Sequence, residues 1–517
     1  MDQIVEKSET LIGKRITKPD APDKAVGRTR YVNDLELPRM LLAKIKRTDR
    51  VHAKILSIDT SEAEKVPGVV AVATAANSPK GLIGVLKDNP PLKSDKVRCI
   101  RDELAAVAGE TEEAVDKAIS LIEVEYEDLP AVFDPEEAFK PDAVQIHDDK
   151  PNNLGLTWDF EHGDVKKAEA ESDVVLEEKY ELHYVTHACM GPGCVVADFD
   201  THGKLTIYTQ TQYPYNYKMD LAPALDIPAG DIRVIQPPVG GAFGSKLDVY
   251  PFEPIAVYLA KKTRRPVKLF FSREEEFIAS PTRQPARVYI KQGTKKDGTI
   301  TFRDVNVFLN NGGYTSWGAT IPAVMMRTMT GHFRIPNVEF HSKAIYTNNP
   351  FAGSFRGYGN VQATYVTATL MDKMAEKLGM NPIEFRLKNA QEAGERTPQN
   401  SLLKNAALGE AIEIAAKKTD FLKKHAEYTE ARAGNDRIKR GIGIATSVHN
   451  AGGAKIHKSD GCGTILTMDD YGKATVITGA SEIGQGIDAV ISQIVGEILG
   501  IPVEDVILAN NDSAIGP

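Results

Sequence analysis

The residue types that could do chemistry gather in glycine-rich turns. Gly240-Gly241-Ala242-Phe243-Gly244 follows an apolar stretch and two prolines. With so little side chain in the way, its backbone N–H groups can approach an anion or an oxo group closely. It is not a P-loop, because Lys246 follows a serine, and it lacks the third glycine of a dinucleotide fingerprint. Ser354-Phe355-Arg356-Gly357-Tyr358-Gly359 sets an arginine fork among small residues, suited to a phosphate or carboxylate. Its Tyr358 ring, flanked by glycines, could face an aromatic substrate. Gly484-Gln485-Gly486 precedes a helix expected from Ile487, and a helix N-terminus beside an amide side chain can cradle an anion or a pterin. Taken singly, each motif reads better as a plain turn.

His183, His187, Cys189 and Cys194 form the most metal-like group. Their surroundings are strand-like, which puts the two histidines roughly 13 Å apart at about 3.3 Å per residue. That is too far to share a zinc at about 2 Å per bond, so they read as core or pocket residues. His449 reads as a satisfied loop histidine. No Ser-His-Asp order, zincin helix or kinase signature is found.

The elements that must position these turns come from a chain of 517 residues, long enough for about three domains. With 42% hydrophobic and 26% charged residues, the composition is globular and excludes disordered or collagen-like classes. A net charge of −8 gives no case for nucleic acid or an anionic membrane. The first residues, MDQIVEKSETLIGKR, lack an apolar leader, and no apolar run is long enough to span a bilayer. Four cysteines without a Cys-x-x-Cys pair suit a reducing, cytoplasmic setting and cannot hold an iron–sulfur cluster. Electrons would have to travel on another chain.

Periodicity divides the chain into an α/β unit over 1–140, a larger domain over 154–425 and a third unit over 441–517. The polar stretch 147–153 reads as a linker, and the charged stretch 426–440 as a boundary. Helices are expected over 111–122, 362–378 and 408–418, and strands over 174–184, 194–199, 205–209 and 232–235. A faint repeat joins LDIPAGDIRVI (225–235) to LGIPVEDVILA (499–509). Gln212 precedes Asp231 by 19 residues, and Gln485 precedes Asp505 by 20, which suggests pseudo-symmetric halves around one site. In the second copy the offset of the glycine loop falls at Ile515 and Gly516, so that unit reads as incomplete, either truncated or finished by a second polypeptide.

In combination the motifs are specific. Thr211-Gln212-x-Pro214, Gly-Gly-Ala-Phe-Gly, Phe-Arg-Gly-Tyr-Gly and Glu-Ile-Gly-Gln-Gly, in this order, resemble the molybdenum-binding subunit of the xanthine dehydrogenase/aldehyde oxidase family. DKAVGRTRYVNDLELP, followed by HAKILSIDTSEAEKVPGVVAV, is similar to that family's a/b hammerhead domain. The resemblance implies an α+β multidomain fold: a hammerhead domain (1–140), the first half of a molybdopterin-binding domain (154–425) and an incomplete second half (441–517). It implies that Gln212 faces the oxo group on molybdenum, with Gly241, Phe243 and Gly244 beside the metal. Arg356 would lie near the cofactor, Gly484 and Gln485 would bind the pterin, Tyr358 would stack on substrate and Arg327 would orient it. No residue is implied as a direct metal ligand.

The implied reaction is hydroxylation of an aromatic, heterocyclic or aldehyde substrate with water-derived oxygen, or the reverse reductive dehydroxylation. Leu247 stands where the purine oxidisers carry a glutamate, and Ala242 where a glycine is usual, which disfavours a purine. HDDKPNN and HACMGPG are similar to the 4-hydroxybenzoyl-CoA reductase branch, which points to an aromatic CoA thioester. The implied cofactor is molybdenum–molybdopterin in its cytosine dinucleotide form. The implied partners are an iron–sulfur subunit with [2Fe-2S], an FAD subunit and a second molybdopterin-binding chain. The family's general-base glutamate has no counterpart here, and neither Glu482 nor Glu497 is assigned to that role. A non-catalytic assembly subunit or a truncated remnant is the alternative reading.

Overall fold

The computed structural model describes residues 10–434, 437–449 and 461–516. A seven-stranded sheet forms its centre, in the order Ile232–Ile235, Leu205–Thr209, Cys194–Phe199, Val267–Phe270, Leu41–Arg47, Glu103–Gly109, Val69–Thr74. Strands from both sides of residues 147–153 therefore share one sheet, joined where Leu41 pairs in parallel with Val267. Apolar side chains on the sheet, such as Val195, Ile207 and Leu269, are sealed by Ile255, Ala256, Leu259 and Ala260 of helix Phe252–Thr263. All seven residues of Glu103–Gly109 are buried, as a strand covered on both faces requires. A five-stranded sheet runs Leu154–His162, Val338–Tyr346, Ile300–Gly312, Ala286–Thr294, Val174–Leu182, and helices Pro322–Gly331 and Asn360–Leu378 bury their apolar faces against it.

Two expectations change. Residues 147–153 are a docked segment instead of a free linker. The buried His147 ring contacts the Gly313 carbonyl at 2.7 Å, and the Asn153 amide donates to the carbonyls of Ala138 and Val144, both at 2.9 Å. Polar residues fill the segment because they satisfy buried backbone groups. Part of the 426–440 stretch lies in helix Phe421–Ala433, which is anchored through buried Phe421 and otherwise solvated.

The repeat is structural. In the first copy, strand Leu205–Thr209, helix Pro214–Leu225, a 3-10 turn at Ala229–Asp231 and strand Ile232–Ile235 form one crossover unit with parallel strands. The second copy is strand Ala474–Thr478, helix Ile487–Leu499, turn Val503–Asp505 and strand Val506–Ala509, again parallel. In each, an antiparallel strand lies on the far side: Cys194–Phe199 in the first and Thr464–Met468 in the second.

Candidate functional site

The glycine loop sits between strand Ile232–Ile235 and helix Phe252–Thr263. Gly240, Gly241, Phe243 and Gly244 have φ of 73°, 100°, 53° and 107°, so left-handed backbone turns the loop into an amide-lined concavity. Gln212 leaves strand Leu205–Thr209 and closes onto it. Its Oε1 accepts the Gly244 N–H at 2.8 Å, while its own N–H donates to the Lys246 carbonyl at 2.9 Å. Only an acceptor can face an N–H, so the amide is oriented and its Nε2 end is left to donate elsewhere.

The second turn docks on the first. The Arg356 N–H donates to the Phe243 carbonyl at 2.8 Å. A Cβ on Gly244 would lie 2.6 Å from the Ser354 carbonyl oxygen, so only glycine permits this approach. The Arg356 side chain and Phe243 are exposed. Tyr358 is half-buried; its hydroxyl donates to the Trp317 carbonyl at 2.9 Å and meets Thr320. Arg327 lies on helix Pro322–Gly331, whose Ile321–Met325 end packs against Gly359. His449 contacts the Asn360 side chain at 2.8 Å, at the start of the helix that follows the turn.

The histidine–cysteine segment supports these loops. Burial pushes the His187 ring down to about 4, so it is neutral and has one N–H. Its ring nitrogens contact the carbonyls of Ser354 at 2.7 Å and Pro281 at 3.1 Å, which ties the second turn to residue 281. Cys189 is buried against Ala242 and Ser245. Lys246 is buried, which lowers its pKa, and its ammonium donates to the carbonyls of Gly191 at 2.8 Å and Val239 at 3.2 Å.

The third turn lies in the second crossover unit, which contacts the strand ahead of the glycine loop. Gln236, four residues before Gly240, donates through Nε2 to the Glu482 carbonyl at 2.8 Å, and its N–H donates to the Asn511 carbonyl at 2.8 Å. Arg233 pairs with Asp512, and the Val234 N–H donates to Ser513 Oγ at 2.8 Å. The Glu482 carboxylate accepts the N–H groups of Gly484, Gly486 and Asp488, so it occupies the helix N-terminus expected to be open to an anion. Gln485 folds back on its own turn, with Oε1 accepting from the Ile483 N–H at 2.7 Å and Nε2 donating to the Ser481 carbonyl at 2.9 Å. Lys18 donates to the Gly484 carbonyl at 3.0 Å, on an N-terminal strap held by Gln493. Sequence reasoning missed Lys18, Gln236 and Lys246. Gln236-Pro-Pro ahead of the loop was the available signal for Gln236; nothing in spacing marks Lys18.

The donors here are backbone amides and carboxamides. Among the described residues no three His, Cys, Asp or Glu side chains are grouped so as to ligate one metal ion together. Such a set suits an organic ligand carrying oxo and ring-amide groups better than a bare ion, and so fits a pterin.

Three family models match: the aldehyde oxidase and xanthine dehydrogenase a/b hammerhead domain over 26–130, and the molybdopterin cofactor-binding domain over 146–390 and again over 414–517. The chain is 36% identical over 503 residues to a probable xanthine dehydrogenase subunit of Bacillus subtilis, covering 97% of this chain and 66% of that protein. It is 36% identical over 418 residues to the nicotinate dehydrogenase large molybdopterin subunit of Eubacterium barkeri, covering 80% of this chain and 97% of that one.

The chain belongs to the molybdenum-binding large-subunit family of the xanthine and nicotinate dehydrogenases.

The aldehyde oxidoreductase of Desulfovibrio gigas shares the fold of this family member, with a TM-score of 0.88 at 25% identity over 98% of this chain and 57% of that one. The chain thus spans just under two thirds of the Bacillus relative and a smaller share of the Desulfovibrio protein. As in the family models, the hammerhead domain comes first and is followed by molybdopterin-binding sequence. No helix among the described residues is long and apolar enough to cross a membrane.

Proposed function

We propose that this chain is the cofactor-holding component of a molybdenum hydroxylase that acts on an N-heterocyclic or aldehyde substrate. The observation that carries the reading is the clamp of Gln212 on Gly244, docked on the Arg356 turn and joined through Gln236 to Glu482. When bound, the molybdenum–pterin group supplies the two-electron redox chemistry. The chain's residues do the positioning. Gln212 offers its Nε2 donor toward an oxygen, and the amides around Phe243 line the concavity. Gly484 and Gln485 shape the turn of the second half that Gln236 ties to the first, Arg356 meets anionic groups, and Tyr358 and Arg327 border the substrate.

The cytosine dinucleotide form, a [2Fe-2S] subunit, an FAD subunit and a second molybdopterin-binding chain complete the proposal. None of the described carboxylates is assigned as the proton acceptor, which is left to that second chain or to further polypeptide. The names of the relatives favour nicotinate-like heterocycles; an aromatic CoA thioester is the second substrate class. The test is a dye-linked assay of the co-purified complex in oxygen-18 water with nicotinate, xanthine, an aldehyde and an aromatic CoA thioester. Label entering one of these products supports the reading. A complex loaded with molybdenum that turns over none of them contradicts it.

A further inference from the structure

A small cavity of about 30 Å³ is lined by Thr209, Gln210, Lys246, Asp248, Glu253 and Glu276, together with Phe252 and Phe271. A space of that size holds about two water-sized particles. Gln210, which lines this space, is 5% exposed, and its Oε1 has no hydrogen-bond partner. Glu253 accepts from Thr209 Oγ1 and from the Tyr250 N–H, both at 2.8 Å. Asp248 accepts from Ser316 Oγ at 2.7 Å and from the Val249 N–H at 2.8 Å. Among the described residues neither carboxyl has an ion-pair partner. Lys246 spends its ammonium on two carbonyls and stands beside Glu276, which accepts the Gly193 N–H at 2.8 Å. One lysine against three buried carboxyls leaves the chamber short of positive charge, and a buried unpaired carboxylate is costly.

We propose that this chamber binds a hydrated alkali-metal cation, held by Gln210 Oε1 with the carboxylates of Glu253 and Asp248, and that the ion braces the strand ends carrying Gln212 and the glycine loop. Beside Lys246 and the apolar rings of Phe252 and Phe271, the lining carries oxygen on Thr209, Gln210, Asp248, Glu253 and Glu276. With two carboxyls and no third acidic, histidine or cysteine ligand, the set suits a singly charged ion better than calcium or zinc.

The test compares thermal unfolding of the full chain in potassium, sodium and choline chloride at matched ionic strength. At a salt concentration 100-fold above the dissociation constant, the folded-to-unfolded ratio rises about 100-fold over choline. Glu253→Gln and Gln210→Leu abolish the rise, while Glu123→Gln on the exposed strand edge keeps it. If those variants fail to fold, rubidium soaked into wild-type crystals gives the second reading: an anomalous peak between Gln210 and Glu253 supports the site. Equal midpoints in all three salts, or a cavity without rubidium, overturns it and leaves water beside protonated carboxyls.

Discussion

The Gln236 amide donates to the Glu482 carbonyl at 2.8 Å, although the two residues are 246 apart in sequence. The contact joins the end of the first crossover unit to the turn that opens the helix of the second. It ties the segment leading into the Gly-Gly-Ala-Phe-Gly loop to the segment leading into the Gly-Gln-Gly turn.

Two substitutions at Gln212 separate its roles. Gln212→Leu leaves the Gly244 N–H without an acceptor and lowers stability by about 1–3 kcal/mol, read by urea unfolding. Gln212→Glu keeps the acceptor and nearly wild-type stability but loses the Nε2 donor. Turnover of the complex then falls by on the order of 100-fold.

Gly244→Ala meets both a φ of 107° and the Ser354 carbonyl, and costs about 2–4 kcal/mol. Gly203→Ala, at φ 79° but with open space around it, costs about 1 kcal/mol. Equal losses at the two sites would show that the turns do not dock as described.

What could be read from the chain in advance, and what could not, follows from the range of the interactions. The crossover units and the strands 194–199 and 205–209 rest on local alternation and turn residues, and they stand where expected. The four motifs were recognisable because each needs particular glycines. Their meeting was not, because Gln236–Glu482 and Lys18–Gly484 are long-range contacts with no local pattern. The 147–153 segment looked like a linker because its polarity hides the fact that Asn153 and His147 are spent on buried carbonyls. Glu482 was set aside as a turn residue, yet it caps the turn's own amides.

Stability should fall with rising pH through the Asp248–Glu253 pair. Both are raised by burial, Asp248 from 3.8 and Glu253 from 4.5, to about 7. The folded state therefore keeps protons that the unfolded chain releases, and the advantage present at pH 4 is lost on the way to 7. Tyr217 and Tyr250 face the same pair, and Asp220 and Lys87 act on Asp248 from neighbouring elements. Neutral histidines such as His147 and His187, held near 4, have the opposite slope over that window. The reading is thus a difference: in potassium-free buffer, wild type minus Asp248→Asn/Glu253→Gln loses stability between pH 4 and 7. A flat difference would contradict the assignment.

Thiol titration of the native chain should find one fast cysteine. Cys99 and Cys194 are buried and pushed up to about 12, Cys189 is buried and raised, and Cys462 is exposed. Cys462→Ser removes the fast phase. Early reaction of a second thiol would show that the 189–194 segment opens.

The most direct test of the shared cradle is the molybdenum content of the co-purified complex, wild type against Gln236→Ala. The two-half cradle predicts stoichiometric molybdenum in wild type and a several-fold loss in the variant, with the fold unchanged by circular dichroism. A wild-type complex without molybdenum, or a variant that retains all of it, would contradict the convergence of the two halves on one cofactor.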